Sequence, residues 1–108
     1  MIDRLERLKA LAQERPNDAF TVFALAKEYE KIGDTENSLK YYYQITVQNP
    51  DYVGTYYHLG KLLELDNQEN DALSVYQKGI EIAQKANDLH ALAELKNAYQ
   101  NLQIEMDL

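Results

Sequence analysis

The chain has 108 residues, of which 45% are hydrophobic and 27% charged, with a formal net charge of −7 and no cysteine. That length supports one domain with its own core. The missing thiols exclude disulfides, thiolate metal sites and thiol catalysis, and the acidity disfavours nucleic acid, whose phosphates it repels.

Charged residues Asp3, Arg4, Glu6, Arg7 and Lys9 break up the opening segment, so no apolar leader is expected. No run approaches the ~18 consecutive apolar residues of a membrane span, and the cytoplasm is the expected compartment.

In chain order, residues 2–14 read as a first helix with Leu5, Leu8 and Leu11 inward, ended before Pro16. Asp18 is placed to cap a second helix from about Ala19 to Ile32, with Val22, Leu25, Ala26 and Tyr29 in one stripe. Gly33 supplies the left-handed conformation of a helix stop. A third helix restarts at Asp34 or Thr35 and carries Leu39, Tyr42, Ile45 and Thr46 inward until Pro50 blocks it. In the run Tyr41-Tyr42-Tyr43, successive side chains point ~100° apart, so Tyr42 takes the core and its neighbours the flanks.

A fourth helix is expected over about Tyr52–Leu65. Asp66, Asn67 and Gln68 make a turn without glycine, and a fifth helix follows over about Glu69–Lys85. After Asn87 and Asp88, a last amphipathic helix runs over about Leu89–Glu105 with Leu92, Leu95, Lys96 and Tyr99.

The chain repeats itself. Pro16 and Pro50 lie 34 residues apart, and at that offset Thr21/Thr55, Leu25/Leu59, Lys27/Lys61, Glu30/Glu64, Leu39/Leu73 and Tyr42/Tyr76 are identical. Phe23/Tyr57, Ala26/Gly60 and Ser38/Ala72 are conservative pairs. Matches three and four apart are repeated helix faces, and a period of this length marks a stacked array of helix pairs.

These residues resemble the tetratricopeptide repeat, TPR. Its slots hold Val22, Leu25, Ala26, Tyr29, Ser38, Tyr42, Ile45 and Pro50 in the first unit. In the second they hold Tyr56, Leu59, Gly60, Leu63, Ala72, Tyr76 and Gly79, with Gln84 in place of the proline. The small residues Ala26 and Gly60 fall where paired helices approach most closely. The resemblance implies an all-α fold of helix-turn-helix repeats stacked as a right-handed TPR solenoid of about six helices. As one TPR-like domain over residues 1–108, it divides into a leading half-repeat helix (1–15), repeat one (16–50), repeat two (51–86) and a C-terminal capping helix (87–108).

The family implies a scaffold that binds a peptide or helix of a partner protein in a concave groove lined by the first helix of each unit. On those helices Phe23 and Tyr57 make an aromatic row and Lys27 and Lys61 a basic row, with Phe20 and His58 nearby. These six are the candidate peptide-groove residues. Two roles stay open for them: anchoring a peptide, or shielding the helix seam beside solvated lysines. The family's chaperone-tail clamp uses Lys, Asn and Arg; here its slots hold Phe23, Lys27, Ala24 or His58, and the first helices carry no Arg, so that function is not carried over.

No phosphate-binding glycine loop, nucleophile elbow or paired-His motif occurs, so no enzymatic activity and no cofactor are expected. His58, His90 and Glu94 are weighed as a metal or acid–base trio against the plainer reading of groove-lining and surface side chains. The second functional reading is self-association as a homodimer through the terminal helices, because residues 89–105 are not followed by a partner helix. Partner identity and the sign of its charge stay open.

Overall fold

The computed structural model describes residues 3–107, so Met1, Ile2 and Leu108, which the expected segments 1–15 and 87–108 include, lie outside the described residues. Six helices follow one another: α1 (Arg4–Glu14), α2 (Ala19–Lys31), α3 (Thr35–Gln48), α4 (Gly54–Leu65), α5 (Glu69–Ala86) and α6 (Leu89–Asp107). Among the described residues there is no strand, and the architecture is an all-α succession of helix-turn-helix pairs. The chain forms two compact units that part between Tyr52 and Val53, with α1–α3 in the first and α4–α6 in the second.

The first unit is built on capped ends and a narrow seam. Asp3 caps α1 by accepting the Glu6 N–H at 2.9 Å. Asp34 caps α3 by accepting the Asn37 N–H at 3.2 Å, and its other oxygen takes the Asn37 amide at 2.8 Å. Those bonds hold the Asp34 carboxyl below its ordinary pKa. Asp18 stands at the N-cap of α2 as expected, but its side chain caps no backbone N–H; its carboxylate accepts the Thr21 hydroxyl at 2.7 Å.

Val22, Leu25, Ala26 and Tyr29 of α2 are buried as the stripe predicts, with Leu8, Tyr42 and Ile45 facing them from the neighbouring helices. Tyr41 stacks flat on Tyr29 (centroids 5.7 Å apart, 6° between planes), while Tyr43 is exposed. Leu11, expected inward, is 41% exposed. The α1 seam runs through Leu5, Leu8 and Ala12 at spacings of three and four, and Leu11 lies outside it. Leu39 and Thr46 reach only half-burial.

In the second unit Pro50, Asp51, Tyr52 and Val53 are spent on the turn that precedes it, so α4 begins at Gly54 and not at Tyr52. Its core joins Tyr56, Leu59 and Leu63 of α4 to Tyr76 and Ala83 of α5 and Leu95 of α6. A Cβ on Gly79 would stand 2.6 Å from the Tyr56 Cβ, and one on Gly60 would enter the Tyr76 ring, so both glycines are required by close packing. The buried face of α6 is Leu95, Ala98 and Leu102; Leu92 and Tyr99 are half-buried and Lys96 points outward. This helix packs on both α5 and α4, which shifts its buried stripe toward its C-terminal end.

Three helix ends share one geometry. Gly33, Asn67 and Asn87 take positive φ (83°, 61° and 55°). The next residue's N–H then reaches back to the carbonyl of Tyr29, Leu63 or Ala83 at 2.9, 2.8 and 3.0 Å. Asn67 and Gly33 are repeat equivalents, so the second unit makes with asparagine the stop that the first makes with glycine.

Candidate peptide-binding face

On α2 the two aromatic residues differ in role. Phe20, in the first turn, is 70% exposed. Phe23 is half-buried, edge-on to Tyr42 at 5.9 Å and tilted against Tyr52 at 5.5 Å. Phe23 therefore both seals the α2–α3 seam and presents part of its ring outward. The Lys27 ammonium lies 5.7 Å from its centroid, within cation–π range.

Phe20, Phe23 and Lys27 meet around one concavity of about 380 Å³, completed by Ala24, Glu28 and Lys31 of α2 and by Arg4 of α1. The Arg4 guanidinium pairs with Glu28 at 3.1 Å. Lys31 was legible as the next residue on the Lys27 face, four positions on, but is absent from the six expected residues. Arg4 comes from another helix, and no local pattern announces it.

On α4, Tyr57 and His58 are half-buried and meet ring to ring at 5.7 Å and 90°. Lys61 is exposed and lies 3.8 Å from Glu64 on its own helix. The repeat-equivalent lysines thus have different neighbours: an aromatic ring for Lys27 and a carboxylate for Lys61. His90 is exposed at the start of α6. Among the described residues no three His, Asp or Glu side chains are grouped to hold a metal ion. None of the described helices is long and apolar enough to cross a membrane.

The tetratricopeptide repeat model matches residues 21–52 and again residues 53–85. The chain belongs to the tetratricopeptide repeat family. The crystal structure of a TPR domain protein from Salinibacter ruber is 40% identical over 80% of this chain and 96% of that one, with a TM-score of 0.76. A solution structure of a TPR domain protein from the same organism is 40% identical over 81% of this chain and 88% of that one, with a TM-score of 0.78. The solution structure of a Bordetella parapertussis protein shares the fold at 24% identity, over 97% of this chain and 91% of that one, with a TM-score of 0.81. No curated protein matches the chain. TPR repeats are in general protein–protein interaction modules and typically non-catalytic, so a protein is the class of partner this membership indicates.

Proposed function

We propose that this TPR protein is a cytoplasmic binding module that holds a peptide or helix of another protein on the outward faces of α2 and α4. Phe20, Phe23 and Lys27 contribute from the first unit, and Tyr57, His58 and Lys61 from the second. Residues 16–50 and 51–86 serve as the two binding repeats, flanked by helical segments in 1–15 and 87–108. The observation that carries the reading is Phe20, 70% exposed at the mouth of a concavity it shares with Phe23 and Lys27. A large ring held in water on a concavity that cations also line is the kind of anchor that partner side chains dock against.

The test is retention of proteins from native cell extract by the wild type and by the Phe20→Ala/Lys27→Glu/Lys61→Glu variant, all three residues being exposed enough to change without unfolding the chain. A protein held by the wild type and lost by the variant supports the groove. Equal retention by both removes the interface from these faces.

A second reading, self-association, is favoured by α6, where Leu89, Ile104 and Met106 are 69%, 61% and 40% exposed. Sedimentation that stays monomeric at millimolar concentration would dispose of it.

A further inference from the structure

The outward stripe of α2 is chemically graded from one end to the other. Phe20 stands in its first turn, Phe23 and Ala24 follow, then Lys27, then Lys31 in the last turn, at the three- and four-residue spacings that share a helix face. At ~1.5 Å of rise per residue, Lys27 lies about 10 Å and Lys31 about 16 Å along the axis from Phe20.

Both lysines are exposed. The one carboxylate among the concavity's lining residues, Glu28, is only 13% exposed and already paired with Arg4. Glu30, on the same helix, accepts the Tyr42 phenol at 2.8 Å. Three cations and one carboxylate therefore line a concavity in a chain whose net charge is −7. Local charge opposes the global sign, and such a site selects a ligand that the rest of the surface repels.

We infer that the α2 stripe takes an acidic segment of a partner protein with an apolar anchor. The anchor packs on Phe20 over Ala24, and carboxylates follow at Lys27 and Lys31. The inference rests on the proposed binding role of α2 and adds the sign and order of the ligand. It needs residues of the first unit alone. In an extended segment alternate side chains share a face, so at ~3.3 Å per residue the carboxylates fall about four and six positions from the anchor, about 13 and 20 Å on, within reach of the flexible lysine stems. A basic ligand would have to displace Arg4 from Glu28 to find an anion here.

The test is a titration of the full chain, followed by ¹⁵N–¹H NMR, with a synthetic peptide bearing one Leu and Glu at the fourth and sixth positions after it. Its Lys-for-Glu counterpart serves as the control. The expected result is saturable shifts confined to the amides of α1 and α2 with the acidic peptide, and none with the basic one. Affinity is expected to fall at least tenfold for Lys27→Glu/Lys31→Glu and in 0.5 M salt, because exposed charges are screened within ~10 Å at far lower ionic strength. Dispersion of the variant's own spectrum shows whether it is folded, and Lys27→Gln/Lys31→Gln replaces it if it is not.

No saturable shift at millimolar peptide, equal response to both peptides, or shifts centred on α4 or α6 would overturn the inference. So would α2 shifts that need no peptide and vanish on dilution, since these assign the stripe to a second copy. If the acidic peptide fails while Phe20→Ala/Lys27→Glu/Lys61→Glu still loses a partner from extract, the groove survives and only its acidic specificity is lost. If both experiments fail, the groove reading falls with it.

Discussion

The Tyr42 hydroxyl donates to the Glu30 carboxylate at 2.8 Å across the α2–α3 pair, and the same bond joins Tyr76 to Glu64 across α4–α5. Both rings are fully buried. Each unit thus ties its two repeat helices with a charge-assisted hydrogen bond between residues 12 apart.

Removing that bond has a cost and a pH signature. Tyr42→Phe or Tyr76→Phe is expected to lose about 1–2 kcal/mol at neutral pH. Burial first, and then the partner carboxylate, raises both phenols above the ordinary value of 10.0. Because the folded pKa is raised, the stabilising contribution is full below about pH 10 and is lost as pH rises beyond it. Urea midpoints by circular dichroism from pH 7 to 11 should show a steep alkaline fall in the wild type and a shallower one in either variant.

Gly60→Ala tests close packing in the second unit. Alanine gains about 1 kcal/mol in helix propensity. Its Cβ, however, collides with the Tyr76 ring, which is fully buried and held through its hydroxyl to Glu64. Overpacking of this kind costs about 1–3 kcal/mol and wins. Thermal unfolding should show a lower midpoint; an unchanged or higher one would mean that the ring gives way.

Thr21 and Thr55 are repeat equivalents with opposite expected responses. Thr21 donates to Asp18 at 2.7 Å. The position equivalent to Asp18 is Tyr52, and the buried Thr55 hydroxyl has no hydrogen-bond partner among the described residues. Thr55→Val is therefore expected to stabilise by up to about 1 kcal/mol, and Thr21→Val to destabilise by a similar amount. Denaturant titration of the two variants side by side checks the sign.

Gly33→Ala isolates a backbone effect. No atom beyond its own chain neighbours lies within 4 Å of the added Cβ, yet φ is +83°. The expected loss is about 1 kcal/mol, all of it conformational. Asn67→Gly, at the equivalent turn, should fall within a few tenths of neutral. A loss at Gly33 as small as that would show that the turn relaxes.

The helices were legible in the sequence because their stops are chemical: Pro16, Gly33 and Pro50 each end one, and a fixed offset repeats the buried Leu25/Leu59 and Tyr42/Tyr76. Asn67 was not legible as the left-handed residue, since any member of Asp66-Asn67-Gln68 can sit in a turn. The α6 stripe was misplaced because a helix packed on two neighbours buries a face that one-dimensional spacing from Leu92 does not locate. Of the candidate site, the rows Phe23/Tyr57 and Lys27/Lys61 could be read from the repeat. Their environments could not. Arg4 arrives from a different helix, and the Glu64 that receives Lys61 also receives Tyr76.

The helix pairings carry a kinetic consequence. The main contacts run between chain neighbours (α1–α2, α2–α3, α4–α5 and α5–α6), with α4–α6 the widest loop to be closed. Short loops of this kind give low contact order, and helical proteins of low contact order fold in microseconds to milliseconds. A ribosome adds only ~5–20 residues per second. The first unit therefore has time to find its native packing while the second is still being synthesised.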